Sequence, residues 1–297
     1  MLRTKLLTLS AVTAAAALSL TACAPSSSQG GGGDAAGSSS AGESTSSGSG
    51  ERLRIGIKFD QPGLGYREGS AQPTGFDTDV ARYVADKLGV AEKDIEWVQT
   101  PSANRENALE NGEVDMIFAT YSITDARKER VDFAGPYFVA GQDLLVRADD
   151  TAITGPESLE GKNLCSVTGS TSAQKIKDQF ASGVNLVEQG GYAECVTYLE
   201  SGQVDAVTTD DIILAGLAAA DANKGKFKVV GNTFTTERYG VGLPKDSERC
   251  EDINEAIKEM KDSGEWKKAL ESNTEGTGYT YDETLNSGED AEFEPCA

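Results

Sequence analysis

The chain has no histidine among its 297 residues. That removes the commonest general base and the commonest metal ligand, and with them many hydrolases. Basic residues are scarce as well: 27 Lys and Arg stand against 48 Asp and Glu, a net charge of −21. Such a chain does not seek nucleic acid or an anionic surface. Beyond the first twenty residues no apolar run is long enough to cross a bilayer. The turn "SVTGSTSAQ" has no Walker lysine after it, which argues against a nucleotide. No catalytic group, cofactor, metal or nucleic-acid partner is expected, and the protein is expected to be a monomer.

What is present begins with a short basic start, "MLRTK", and the apolar run "LLTLSAVTAAAALSL". The run has the length of a signal-peptide core and is short for a membrane span. It ends in "LTAC", which resembles a bacterial lipobox. Residues 1–22 are then a lipoprotein signal peptide, and Cys23 becomes the lipidated first residue. An ordinary secretory signal with a stray cysteine is the alternative. Residues 24–50 hold ten Ser and eight Gly in 27 positions. That composition cannot fill a core, so residues 23–50 form a tether with a root-mean-square reach of roughly 30 Å. Removing residues 1–22 leaves 25 basic and 48 acidic residues, a charge of −23.

Residues 51–297 are long enough for one large domain or two smaller ones. Strand-like and helix-like stretches alternate: "RLRIGIKF", "GFDTDVARYVADKLG", "DIEWVQT", "NRENALENG" and "VDMIFATYS". Alternation of this kind argues for a mostly parallel sheet covered on both faces. Asp77 or Thr78 is suited to cap the first helix. The pattern restarts at "KNLCSVTG". "ALENGEVDMIFAT" in the first half nearly repeats as "YLESGQVDAVTTD" in the second. Two α/β lobes on one plan follow, residues 51–141 plus 237–297 and residues 142–236. They are joined by extended crossovers at "AGPYFVAGQDLLVRADD" and "NTFTTERYGVGLP", which make a hinge with a cleft. "EDINEAIKEMKDSGEWKKAL" reads as one amphipathic helix that returns to the first lobe.

Besides Cys23 there are four cysteines, with three possible pairings. A bridge between lobes would clamp the hinge. Cys165–Cys195 and Cys250–Cys296 avoid that, each worth about 3–4 kcal/mol in the chain-entropy picture.

The strand ends carry the chemistry, because open α/β sheets bind ligands beyond the carboxyl ends of their strands. In "ATYSITDAR", Thr124 is suited to cap a short helix. Arg127 then sits where the helix dipole prefers an anion. With Thr120 and Ser122 it suits a carboxylate, which a guanidinium grips through two oxygens. An exposed arginine paired with Asp125 or Glu129 fits equally well. Ser170 and Thr171 offer a second anion site at a helix start, or an ordinary cap. Asp210, ending an apolar strand, is costly to bury unpaired and would meet a cation. Helix capping by Asp210 or Asp211 is the plainer reading.

Residues 51 to about 275 resemble the family 3 extracytoplasmic solute-binding proteins, receptors of polar amino-acid ABC importers. The motifs are "GFDTDVA", "NGEVDMIFATYSITDARKERVDFAGPY", "SVTGSTSAQ" and "SGQVDAVTTDD". The similarity implies an α/β, two-lobed periplasmic-binding-protein-like fold of type II. It implies Arg127 on a ligand α-carboxylate, with Ser122 and Thr171 alongside, and Asp210 on the α-ammonium with the Thr120 carbonyl. The family often has Gly at the position of Thr120. "TPSANR" resembles the pattern of its glutamate and aspartate binders, which implies Ser102 and Arg105 on a side-chain carboxylate, with Lys58 nearby. Solvated surface charges are the alternative for these three. The likeness extends to actinobacterial glutamate-binding lipoproteins through "KFDQPGLG", "FAGPYFVAGQDLLVR" and "LCSVTGST". It implies a lipid-anchored receptor on the outer face of the cell membrane that hands L-glutamate to permease subunits. Glutamine or aspartate as ligand, an exported dehydratase-like enzyme, and a sensor ectodomain are the other readings.

Overall fold

A computed structural model describes residues 52–180 and 183–296. The expected signal peptide, Cys23 and the tether lie outside the described residues. The chain runs β1 (Leu53–Ile57), the hairpin β2 (Asp60–Gln61) and β3 (Gly65–Tyr66), α1 (Phe76–Lys87), β4 (Ile95–Gln99), α2 (Arg105–Glu110), β5 (Met116–Phe118), α3 (Asp125–Lys128) and β6 (Asp132–Ala140). It continues through β7 (Gln142–Arg147), β8 (Asn163–Val167), α4 (Thr171–Gln179), β9 (Asn185–Gln189), α5 (Tyr192–Glu200), β10 (Ala206–Asp210), α6 (Asp211–Ala219) and β11 (Phe227–Val229). β12 (Glu237–Leu243), α7 (Cys250–Asp262), α8 (Glu265–Thr274) and α9 (Glu283–Ser287) complete it.

Two five-stranded sheets result, in the orders β4-β1-β5-β12-β6 and β9-β8-β10-β7-β11. The orders superimpose position by position. In each sheet the strands joined through helices pair in parallel, as crossover connections require. In each, one strand runs against the rest: β12 in the first, β7 in the second. Those reversed strands belong to the segments that pass between the sheets, so the reversal is the trace of the crossover.

The inner strands of both sheets are buried on both faces, whereas the edge strands β4 and β9 are partly exposed. Met116 and Phe118 join the cluster under α1 and α7, while Ile117 and Ala119 face α2 and pack with Leu109 and Phe133. In α1, Phe76, Val80 and Val84 share the buried face. Ile253, Ile257 and Met260 do the same in α7 and pack it on the first sheet. Cys165 is bonded to Cys195 and Cys250 to Cys296, with Cα separations of 5.5 and 5.7 Å.

Three local expectations need correction. α1 begins at Gly75, with neither Asp77 nor Thr78 capping it. Both are buried, and Asp77 is engaged elsewhere. The amphipathic helix after residue 250 is two helices, because Gly264 takes a left-handed backbone (φ 81°) that ends α7 and starts α8. The strand through "VDMIFATYS" stops at Phe118, because Thr120 also adopts a left-handed backbone (φ 44°).

Candidate functional site

The singled-out side chains sit at or just past strand ends, except Arg127, which lies on α3 in the connection after β5. Lys58 follows β1, Ser102 and Arg105 follow β4, and Thr120 and Ser122 follow β5. From the second sheet, Ser170 and Thr171 follow β8 and Asp210 ends β10. The two sets of ends face each other and touch. Tyr192 N donates to Asp60 Oδ2 at 2.9 Å. The Gly169 carbonyl accepts from Arg127 Nη2 at 3.0 Å and Arg105 Nη2 at 3.4 Å. A Cβ on Gly169 would lie 2.7 Å from the Ala103 Cα, and one on Gly216 would lie 2.1 Å from the Pro62 carbonyl oxygen. Glycine is needed at both points for this approach, and the cleft is closed.

On the first-sheet side, two guanidinium groups share one aromatic ring. Arg105 lies 4.1 Å and Arg127 4.9 Å from the Tyr121 centroid. The pairing of like charges is unfavourable, and the π-face of the ring and Glu106 offset it. Glu106 Oε1 accepts from the Tyr121 hydroxyl at 2.7 Å and lies 3.3 Å from Arg127 Nε. Arg127 also donates through Nη1 to the Ser122 carbonyl at 2.6 Å. Burial, and next the Arg105 charge, pull Arg127 down to about 10. Thr124 caps α3, accepting from Arg127 N, so the residue both starts a helix and aims its side chain into the cleft.

Arg105 is 2% exposed and donates to the carbonyls of Ala119 (3.0 Å) and Thr120 (3.3 Å). Its Nε is buried without a hydrogen-bond partner among the described residues. Lys58, 4% exposed, donates to Ser102 Oγ at 2.6 Å. No carboxylate pairs with it among the described residues. Burial, and then Arg105, bring its ammonium down to about 7, against the opposing pull of Asp60 and Asp77.

Asp77 holds the turn that carries Thr120. Its Oδ2 accepts from Thr120 N at 3.0 Å and its Oδ1 from the Tyr137 hydroxyl at 2.8 Å. A β-branched residue in the left-handed region costs on the order of 1–3 kcal/mol. The bond to a buried carboxylate offsets that cost. Burial raises Asp77 to about 6 despite those two donors.

On the second-sheet side, Thr171 Oγ1 lies 3.3 Å from Ser122 Oγ and donates to Glu237 Oε2 at 2.9 Å. Lys175 also pairs with Glu237, at 2.6 Å. Ser170 Oγ caps α4, accepting from Ala173 N at 3.0 Å. Asp210 stands at the N-cap position of α6 but does not cap it. Its Oδ2 accepts from the Tyr239 hydroxyl, and its Oδ1 is buried without a hydrogen-bond partner among the described residues. Burial, and next the Glu237 carboxylate, push Asp210 well above the usual range, with the Tyr239 hydroxyl opposing. Tyr239 bridges to Ser122 through the backbone. Asp210 therefore reaches across to the strand beside the cation cluster.

The structure places Lys58 with Ser102, Arg105 with Thr120, and Arg127 with Ser122 and, through it, Thr171. Ser170 is engaged as a cap. Tyr121, Glu106, Asp77, Tyr239 and Glu237 were missed. Tyr121 and Asp77 stand inside the quoted motifs, so position was the available signal. Tyr239 and Glu237 lie on a crossover strand, where only proximity in the fold reveals them.

Residues 53–274 match the bacterial extracellular solute-binding proteins, family 3. The chain belongs to this family. Glutamate-binding protein GluB of Corynebacterium efficiens is 48% identical over 232 residues, 74% of this chain and 78% of that protein. A glutamine-binding protein of Geobacillus stearothermophilus is 39% identical over 197 residues, 66% of this chain and 74% of that one. Among solved structures, an ancestral arginine-binding protein bound to glutamine has a TM-score of 0.69 at 36% identity, covering 75% of this chain and 97% of that one. The architecture is the two-lobed α/β fold of family 3 amino-acid-binding proteins, and the match ends before the C-terminal segment.

Proposed function

We propose that this family 3 protein is an extracellular, lipid-anchored receptor that binds L-glutamate and delivers it to the membrane subunits of an ABC-type permease. The observation that carries the reading is the buried cluster of Lys58, Arg105 and Arg127 set across the cleft from Asp210. In this assignment Arg127 takes the α-carboxylate, with Ser122, Thr171 and the start of α4 at Ser170. Asp210 Oδ1 and the Thr120 carbonyl take the α-ammonium. Lys58, Ser102 and Arg105 take the side-chain carboxylate.

The physics supports each half. Both guanidinium groups now donate to the neutral Gly169 carbonyl. A carboxylate in its place makes charge-assisted bonds roughly twice as strong. A buried Asp210 oxygen without a partner is costly, and an ammonium offsets that cost. Three buried cations favour glutamate over glutamine, whose amide brings no charge. They must outweigh the repulsion of a processed chain with 25 basic and 48 acidic residues, a net charge of −23. Distant surface charges are screened over about 8 Å at physiological salt, whereas charges in the dehydrated cleft are not.

Residues 51–141 with 237–297 form one lobe and 142–236 the other, with hinge segments at 140–142 and 230–236. The lobes part to admit ligand and close on it, without chemical turnover. The relatives named for glutamate and glutamine support an amino-acid ligand and leave glutamine as the second reading.

Calorimetric titration of the purified protein tests the reading. L-glutamate is expected to give saturable one-to-one heat at micromolar concentrations, with L-glutamine weaker. No heat with glutamate sinks the ligand assignment. For the anchor, Cys23→Ala is expected to move the protein from the membrane fraction to the medium, and unchanged partition sinks it.

A further inference from the structure

Residues 275–296 lie beyond the family match, and apart from the Cys250–Cys296 bond no role assigned so far uses them. They are nonetheless fastened to the first lobe at its hinge strands. Asn286 makes both backbone bonds to Val139, accepting from its N–H at 2.8 Å and donating to its carbonyl at 2.9 Å. Val139 belongs to β6, the edge strand of the first sheet, and stands two residues before Gly141. Arg238, on the other hinge strand, donates to the carbonyls of Asp290 and Glu292 and pairs with Glu294. Glu294 also pairs with Lys128 at 3.3 Å, and Cys296 is bonded to Cys250. Tyr281 packs edge-on against Trp266, with centroids 5.6 Å apart.

Before this anchorage the segment touches the second lobe. The Tyr279 hydroxyl donates to Asp211 Oδ1 at 3.5 Å. Asp211 opens α6 and directly follows Asp210. The same oxygen accepts from Gly141 N at 3.4 Å and Ile212 N at 2.7 Å. Gly141 is itself wedged against the second crossover, since a Cβ there would lie 2.6 Å from Thr233 Cβ. A cavity of about 530 Å³ lies beneath the segment, between Gly276–Thr280 on one side and Asp143, Asp211 and Phe227 on the other. The segment thus bridges the hinge over a gap, with the Tyr279 hydroxyl on Asp211 as its one polar contact on the far side among the described residues.

We propose that residues 276–282 are a strap across the hinge that favours the closed cleft, with Tyr279 as a positioning residue acting on Asp210 through Asp211. The strap's far end is held by the first lobe's hinge strands. Rotation of the second lobe away from the first carries Asp211 from Tyr279. A bond present only in the closed state raises the closed population, and ligand affinity rises with that population. The inference rests on the assignment of Asp210 to the ligand ammonium.

The test compares the full-length wild type with Tyr279→Phe, which removes one hydroxyl, using L-glutamate as probe. The Kd of Tyr279→Phe is expected to rise about threefold to tenfold, the range for one modest hydrogen bond. The rise should come chiefly through faster dissociation, with the unfolding temperature of the ligand-free protein unchanged. Asn286→Ala, which releases the strap from β6, should shift Kd in the same direction. An unchanged Kd in Tyr279→Phe overturns the proposal, and so does a lowered unfolding temperature with Kd intact. If the wild type gives no heat with glutamate, the ligand assignment has failed. Small-angle scattering of the two ligand-free proteins then decides on the strap alone: a larger radius of gyration for Tyr279→Phe supports it, and equal radii overturn it.

Discussion

The two lobes are built from one phrase and end it differently. In the first, "LENGEVD" turns at Gly112 (φ 63°) and in the second "LESGQVD" turns at Gly202 (φ 76°). The Val-Asp pair does the same work twice. Val114 and Val204 are buried. Asp115 accepts from Arg54 N at 2.7 Å and Asp205 from Asn163 N at 2.8 Å. Each aspartate also returns its own N–H to the carbonyl of that residue, at 2.8 and 2.7 Å. So one carboxylate clamps the start of the neighbouring parallel strand in each sheet. Past the strand the lobes part company. The first swings through Thr120 in a left-handed turn that gathers Tyr121, Ser122 and Arg127 beside Arg105 and Lys58. The second runs straight from Thr209 into α6, leaving Asp210 at the junction. The shared phrase is scaffold, and the divergence at the strand ends forms the proposed site.

That division can be broken at several points. The largest effect is expected from Arg127→Ala, which removes one side of a buried charge pairing. Losing such a partner costs about 2–5 kcal/mol. Glutamate affinity should fall by that amount in calorimetry, and full affinity in the variant removes Arg127 from the site. Arg105→Ala should cost glutamate about 2–3 kcal/mol and glutamine far less. Equal losses for both ligands would take Arg105 out of the side-chain pocket.

A pH titration of binding comes next. Lys58 titrates near 7 in the ligand-free protein, with Arg105, Arg127, Asp60 and Asp77 as its charged neighbours. A bound carboxylate raises that value, so binding above pH 7 takes up a proton. Asp210, raised by burial, adds a dependence that both ligands share through the ammonium, so the Lys58 effect is read as a difference: relative to glutamine, glutamate affinity should weaken by up to about tenfold per pH unit above 7. Parallel profiles for the two ligands would separate Lys58 from the side-chain carboxylate. The smallest effects belong to the scaffold. Asp115→Ala and Asp205→Ala should each cost about 1–3 kcal/mol of stability by denaturant titration. The Kd of each should stay close to the wild-type value, and a large loss of affinity in either would blur the line between scaffold and site.

Much of this division was legible in the residues themselves. Alternating strand and helix periods marked both sheets, and the doubled phrase marked the two lobes. Arg127 announced itself as a cation at a helix start, and Asp210 as a carboxylate ending an apolar strand. Other features were hidden for physical reasons. Threonine rarely adopts a left-handed backbone, so the turn at Thr120 shows only once Asp77 is seen holding it. Asp77 resembled a helix cap because caps and buried acceptors use the same side chain. The Tyr121 stack depends on how α2 and α3 dock on the first sheet. Gly264 looked like a residue within one amphipathic period until its backbone ended the helix. The path of the C-terminal segment follows from pairings more than a hundred residues apart, such as Asn286 with Val139.

The reading turns on opposite charges from the two lobes meeting one amino acid, the first lobe's cations on its carboxylates and the second lobe's Asp210 on its ammonium. A crystal structure of the protein grown with L-glutamate tests it most directly. The α-ammonium is expected within hydrogen-bond distance of Asp210 Oδ1, the α-carboxylate on Arg127, and the side-chain carboxylate among Lys58, Ser102 and Arg105. A ligand held by one lobe alone, or with its ammonium away from Asp210, would contradict it.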